Sequence, residues 1–423
     1  MTVHVAVIGG GWAGCAAALT LAETGVGVTL FEASRTLGGR ARAVELAGRP
    51  LDNGQHILLG AYAQTLHLIE RLRPAAAHDG LWRLPLALSQ PPDFRFTCPR
   101  LPAPLHLLAG LLGAQGLGWR DKLAAARWVY ALLHDTAAPD QLSVSQLTRS
   151  QPETLRRLLW HPLCVSALNT PPEMASARVF RDVIRAAFGG RNHASDLLLP
   201  RRDLTALFPA PAAARLVERG GRVRLACRVT ALDAAADAVI LSTRDEATAY
   251  SHVILAVAPQ HLAGLAGAIP ALESVVREVS AYRYQPIATG YVQYDPAFRL
   301  AKPLFALADG PAQFVFDRGQ SHGQAGLLAF VASTATDLPA NWLDQAEAQL
   351  LRIAQPGPAL WRKSIVEKQA GYACIPNLKR PAVRTPHRRM FLAGDYTSGP
   401  YPATLESATL SGVQSARALF EQL

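Results

Sequence analysis

Lysine occurs at only five positions in this 423-residue chain: 122, 302, 363, 368 and 379. The net charge of +10 is therefore carried mostly by arginine. Such an excess suits an anionic surface, an acidic ligand or a nucleic acid, or reflects genome composition alone. No basic run is interleaved with aromatics and no zinc-ligand spacing occurs, which argues against nucleic acid as a partner. Cysteine is scarce as well. Cys15, Cys98, Cys164, Cys227 and Cys374 are scattered, odd in number and without a C-x-x-C pair. That argues against a disulfide framework and a metal site, and for a reducing compartment. No apolar run reaches the ~18 residues needed to span a bilayer. The first strand is expected from Val3, which leaves no room for a basic leader and a cleavable apolar segment. A cytoplasmic protein is expected, soluble or held at the inner face of the cytoplasmic membrane. Charged residues make up 17% and hydrophobic ones 50%, a globular balance over a length that accommodates two domains.

What is present begins at residue 3. VHVAVIGG reads as a buried strand, GGGWAG as a glycine turn, CAAALTLAETG as a small-residue helix and VGVTLFE as a second strand. Gly9 permits the tight turn, Gly11 lets backbone approach a pyrophosphate, and Gly14 lets the helix pack on the strand. The helix N-terminus offers N–H groups and a positive dipole end to phosphates. Glu32 ends the second strand, where a carboxylate can hold ribose hydroxyls. An acid there favours FAD or NAD over NADP. Ala33 follows it, and then Gly38, Gly39 and Arg40 arrive together in EASRTLGGRAR. Two glycines expose backbone, and the planar Arg40 fork can neutralise a pyrophosphate. LDNGQH (51–56), with Gly54 in its turn, reads as a short strand returning toward the cofactor. Near the C-terminus, MFLAGD ends a strand on Gly394 and Asp395, and a closing helix opens at Thr404.

These blocks, with PATLESA at 402–408, resemble the flavin amine oxidase and phytoene desaturase superfamily. The resemblance implies an α/β fold with a discontinuous Rossmann-like FAD-binding domain (1–72, 200–270 and 375–423). A mixed α+β substrate domain would come from 73–199 and 271–374. It further implies that Asp395 meets the ribityl or pyrophosphate part of FAD and that Val229 lies against the adenine. Thr404, Leu405 and Glu406 would point a helix N-terminus at the flavin ring. Helix formers such as DKLAAARWVYALLH and ARVFRDVIRAAF fill the first substrate piece. Alternating PIATGYVQY and LLAFVAS mark strands in the second.

Amine-oxidising members carry a Lys on the strand matched to PIATGYVQY and an aromatic residue where Thr404 stands; this chain has neither. DNGQHILLGAY (52–62), HPLCVSALNTPPEMAS (161–176), SDLLLPRRDL (195–204) and AGDYTSGPYPATLESA (393–408) are closer to the hydroxysqualene dehydroxylase branch. Tyr396 replaces the Trp frequent there. This implies reduction of a hydrophobic C30 isoprenoid alcohol to squalene in squalene and hopanoid synthesis, with FADH2 supplying the electrons. Association with squalene-pathway synthases is also implied. Loss of an allylic hydroxyl is easiest when its oxygen is protonated in a dry pocket beside a hydride donor. His56 is the first candidate for the assisting group, the alternative being a His that only orients backbone or flavin; Asp196 is the second, the alternative being a helix cap or a surface charge. Asn169 and Tyr401 are candidate substrate-lining residues or packing residues. Cys374, Trp12 and Cys15 read as packing residues. The apolar 105–122 segment, ending in Trp119, Arg120 and Lys122, is either an anchor on an anionic membrane surface or a buried helix. Two competing functions are a carotenoid-type desaturase and a flavin-free prenyl-binding escort.

Overall fold

The apolar runs that open and close the chain converge in one parallel sheet. In this computed structural model, residues 3–72, 80–134, 140–189 and 193–423 are described. The strands lie in the order Arg222–Arg224, Gly27–Phe31, His4–Ile8, His252–Leu255, Met390–Leu392, all parallel. Val5, Ala6, Val7, Val28, Leu30, Val253, Ile254 and Leu255 are almost wholly buried, as expected of a sheet covered on both faces. The first helix, Trp12–Ala22, is small-sided because the closing helix Leu405–Phe420 crosses it closely. A Cβ on Gly412 would stand 2.2 Å from the Ala13 carbonyl oxygen. The order of strands reverses at His4–Ile8, with Gly27–Phe31 added on one side and His252–Leu255 on the other, which makes the carboxyl ends of these strands the natural crevice for a nucleotide. The 222–255 stretch also carries the antiparallel meander Ala231–Ala234, Val239–Ser242, Ala247–Tyr250.

A second sheet is antiparallel: Leu304–Ala306, Phe314–Asp317, Leu327–Ser333, Tyr284–Gln293, Trp361–Tyr372. Helices Leu105–Leu112, Trp119–His134, His161–Leu168 and Ala177–Phe188 pack on one another in the stretch between the parallel strands. The result is a two-domain α/β architecture: a Rossmann-like parallel sheet with its helices, and a mixed α+β domain. No helix among the described residues is long and apolar enough to cross a membrane. The 105–122 segment is not a buried helix. His106 and Gly110 face inward, but Leu105, Leu108, Leu112 and Trp119 are exposed, Trp119 by 73%.

Candidate active site

A single cavity of about 1580 Å³ runs from the carboxyl ends of the parallel strands into the helical part. One end is lined by Gly9, Gly11, Glu32, Ala33, Gly38, Gly39, Arg40, Val229, Gly394, Asp395, Thr404 and Leu405. The far end is apolar, with Leu107, Leu111, Val129, Leu133, Leu159 and Leu163 in its wall.

The three glycines of the turn do different work. Gly9 has φ +110°, and a Cβ there would meet the Ala256 carbonyl oxygen at 2.4 Å. A Cβ on Gly14 would lie 1.9 Å from the Gly9 oxygen. These two are demanded by the protein's own backbone. Gly11 is not: its φ is −71°, and an added Cβ finds nothing nearer than the Gly39 Cα at 3.9 Å. The space beside Gly11 is open toward the cavity, which is what a pyrophosphate cradle requires. Gly38 and Gly39 take positive φ, +114° and +61°, to bring their loop against the turn, where the Gly38 N–H donates to the Gly10 carbonyl at 2.8 Å. Glu32 accepts from the Gly10 N–H through Oε2 and the Ser34 N–H through Oε1, both at 2.7 Å. These bonds fix the carboxylate in the wall. The donor set, the cradle and the helix N-terminus fit FAD.

Arg40 is engaged differently from what the sequence suggested. Its two terminal nitrogens hold the Ala370 carbonyl (2.8 Å) and Asp395 Oδ1 (2.7 Å). This pair is neutral overall. Positive potential toward a pyrophosphate therefore falls to the N–H groups of the first helix rather than to an unpaired guanidinium. Thr404 caps the closing helix, accepting from the Ser407 N–H at 3.1 Å, and Leu405 lines the cavity. Glu406 turns away. Its carboxylate is buried and accepts from the Gln64 and Thr65 N–H groups at 2.9 and 2.8 Å, capping the helix Ala63–Leu72. Glu406 thus contributes its backbone at most, because its side chain is spent 341 residues away. Glu406→Ala is expected to cost about 1–2 kcal/mol of stability, as loss of an N-terminal cap does. A thermal melt with flavin content measured alongside checks this; flavin loss with unchanged stability would reverse the assignment.

The DNGQH turn hangs from a buried ion pair. Asp52 accepts from the Leu204 N–H at 2.8 Å and from Arg318 at 3.1 Å, and both side chains are almost wholly buried. Arg318 also holds Gln55 Oε1 at 2.8 Å, and Tyr291 donates to the Asp52 carbonyl. His56 lines the cavity with Gly54, Gln55 and Ile57. Its Nδ1 lies 2.7 Å from the Gly54 carbonyl, an acceptor only, so Nδ1 carries the proton and neutral Nε2 is an acceptor. Burial holds His56 below the ordinary imidazole value, against the Gly54 carbonyl and Asp52, which raise it.

Asp196 is not brought to the cavity. Its carboxylate binds Arg83 at 3.3 Å and His193 at 3.0 Å, and its neighbours Ser195 and Leu197 line the wall instead. Asn169 does line it, yet its amide is occupied, donating to the Gln285 carbonyl and accepting from the Thr334 N–H. Its φ of +45° makes it the left-handed cap of His161–Leu168. Tyr401 lines the cavity edge-on to Tyr62, their centroids 6.5 Å apart. Cys374 is buried and outside the wall, its thiol pushed up to about 12 by burial. Trp12 packs on Phe208 and donates to the Ala41 carbonyl. Arg318, Tyr291 and Ser195 had no sequence signal, since nothing local marks their partners. Among the described residues, no group of three or more His, Cys, Asp or Glu could hold a metal.

The profile of the family described as flavin containing amine oxidoreductase matches residues 12–420. The chain is 26% identical to the hydroxysqualene dehydroxylase of Sinorhizobium fredii, over 98% of both chains. It is 28% identical to the enzyme of that name from Rhodopseudomonas palustris, over 98% of this chain and 97% of the other. A probable zeta-carotene desaturase of Synechococcus elongatus is 25% identical over 99% of each. In fold, the chain is similar to a putrescine oxidase bound to putrescine, with a TM-score of 0.72 at 15% identity, covering 100% and 99% of the two chains.

Proposed function

Given that the chain belongs to the flavin-containing amine oxidoreductase family, we propose that it reduces hydroxysqualene to squalene with FAD as cofactor. The observation that carries this reading is the continuity of the cavity: a nucleotide cradle opens without a break into a long apolar chamber. Full-length similarity to the two hydroxysqualene dehydroxylases supports it. So does the middle strand Tyr284–Gln293, which holds no lysine.

In this reading the pyrophosphate lies by Gly11 and the N-terminus of Trp12–Ala22, the ribose at Glu32, and the adenine near Val229. Ala33, Gly38, Gly39, Gly54, Gly394 and the Arg40–Asp395 pair complete the wall. Bound reduced FAD supplies a hydride. The C–O bond of the allylic alcohol breaks, the hydroxyl leaves as water with a proton, and a C–H bond forms. The apolar walls exclude bulk water that would otherwise capture an allylic cation. His56, held by the Gly54 carbonyl, stands at the cofactor end, where its Nε2 can meet the departing oxygen. Protonated His56 is the donor form. Because burial lowers its pKa, that form grows as pH falls below the ordinary imidazole value.

The test is anaerobic. Photoreduced holoenzyme is incubated with hydroxysqualene and the product analysed: squalene is expected in proportion to flavin. His56→Ala is expected to keep its flavin and slow turnover about a hundredfold, the lower range for general acid–base assistance. Squalene formed at full rate by this variant removes His56 from the chemistry and spares the reaction. Similarity to the zeta-carotene desaturase favours a second reading, hydride removal from an isoprenoid. Dehydrogenation of a carotenoid precursor with hydroxysqualene untouched would install it.

The substrate reaches the chamber from a lipid surface. Leu105, Leu108 and Tyr130 are exposed on the outside and also line the cavity, so its mouth opens through an apolar patch. Leu101, Leu112, Trp119 and Leu123 extend that patch, and Arg120 is exposed beside them. Lys122 is stacked over Trp119 at 5.2 Å and caps the Leu112 carbonyl. The protein is expected to sediment with anionic vesicles, less so as salt rises. Trp119→Ala with Arg120→Ala should reduce partitioning about fivefold or more, since one basic residue near such a surface contributes ~1 kcal/mol. Unchanged partitioning would detach the patch from membrane binding.

A further inference from the structure

Helix Leu105–Leu112 forms part of the chamber wall, and its second residue is a histidine that does not face solvent. His106 is 8% exposed, and its Nε2 lies 2.9 Å from Ser195 Oγ, itself on the cavity wall and 2% exposed. The other ring nitrogen, Nδ1, is buried with no hydrogen-bond partner. That orphan decides the tautomer. A buried N–H without an acceptor is rarer than an under-used acceptor lone pair. The proton of neutral His106 therefore sits on Nε2 and is donated to Ser195 Oγ. With its oxygen accepting from the ring, the Ser195 hydroxyl keeps its own proton to donate, and Ser195 lines the cavity. Asn169, by contrast, has both ends of its amide committed to backbone.

We infer that Ser195, oriented by His106, is the hydrogen-bond donor that recognises the oxygen of an isoprenoid alcohol in this cavity. The inference rests on the reading of the chamber as an isoprenoid alcohol site. It adds the group that tells the alcohol from the hydrocarbon. Its position is apt, because the strand after Ser195, Leu197–Pro200, pairs with Leu58–Leu59 just beyond the His56 turn. Ser195 touches the ligand in this arrangement; His106 is a positioning residue. A donor here favours alcohol over product and so helps the hydrocarbon leave.

The test compares two probes on the oxidised holoenzyme. Hydroxysqualene and squalene, in the same detergent, are titrated while the flavin absorbance is followed. Ser195→Ala is expected to weaken the alcohol roughly fivefold, the value of one neutral hydrogen bond, and to leave squalene unchanged. His106→Gln, whose amide N–H replaces that of Nε2, keeps the preference for alcohol, whereas His106→Leu loses it. A merely structural role would shift both probes together. Equal changes for both probes in Ser195→Ala, or none, overturn the inference. Should Ser195→Ala fail to hold flavin, the His106→Gln and His106→Leu pair decides by the same comparison. The two proposals fail separately. A wild-type protein with a Ser195-dependent preference but no squalene formation keeps the recognition and loses the reaction. Squalene formation with a preference indifferent to Ser195 does the reverse.

Discussion

A Gly11→Val protein is expected to fold, to melt near the wild-type apoprotein and to purify without colour. The backbone at Gly11 has a φ of −71°, which any residue adopts, and a Cβ there meets no atom of the chain closer than 3.9 Å. The side chain therefore costs the fold little. It occupies the space assigned to the pyrophosphate and shields the N–H groups at the start of Trp12–Ala22. Overpacking of this kind costs about 1–3 kcal/mol, and losing contact with the helix N-terminus adds to it, so FAD affinity should fall a hundredfold or more. Gly14→Val is the contrasting control. Its Cβ would stand 1.9 Å from the Gly9 carbonyl oxygen, so this variant is expected to be insoluble rather than merely colourless. FAD titration of the refolded apoproteins separates the cases. Wild-type affinity in Gly11→Val would mean that the pyrophosphate lies elsewhere.

The second large effect is at Arg318. Removing it as Arg318→Met leaves the Asp52 carboxylate buried without its counter-charge, which typically costs about 3–5 kcal/mol. The apparent Tm should drop by about 6 °C or more. Burial already raises the Asp52 carboxyl above its ordinary value, with Arg318 opposing that rise. Without Arg318 the folded-state pKa climbs further above the unfolded one. The unfolded state then loses its proton first, so the stability deficit opens as pH rises through the unfolded pKa and is largely closed below it. A melt series from acid to neutral pH should show the variant approaching wild type at the acid end. Asp52→Leu added to Arg318→Met should recover much of the loss, because an apolar pair carries no desolvation cost. A pH-independent deficit would mean that packing, not the stranded charge, sets the effect. Gln55 also hangs from Arg318, so alcohol binding should loosen in the single variant.

Much of the nucleotide half could be read from residues because its specification is local. Gly9, Gly11, Gly14 and Glu32 sit at fixed offsets within one strand–turn–helix–strand unit, and the glycines act through backbone. The separation of Gly11 from Gly9 and Gly14 was not legible in the sequence: only the built turn shows that the backbone demands two of them and leaves open space beside the third. At the substrate end local reasoning came close and missed. Asp196 was nominated for the chamber and does not line it. One residue earlier, Ser195 faces the cavity, while Asp196 meets Arg83 and His193. Both residues lie in the turn that precedes the strand Leu197–Pro200, where no regular periodicity tells which side chain reaches the wall. Glu406 was read as part of the closing helix's N-terminus; where its carboxylate goes, to the N-terminus of Ala63–Leu72, was not legible because that helix lies 341 residues away in the chain.

The sequence by itself determined the dinucleotide fold, the family and the apolar character of the substrate part, because glycine spacing, strand-end acids and hydrophobic periodicity are written within short stretches of chain. Only the tertiary structure decided which polar groups reach the chamber. Arg318 meets Asp52 across 266 residues, Arg40 meets Asp395 across 355, and His106 meets Ser195 across 89. Each of these is a choice among competing partners for a buried donor or acceptor. That choice is settled by where folding leaves no water to take the partner's place.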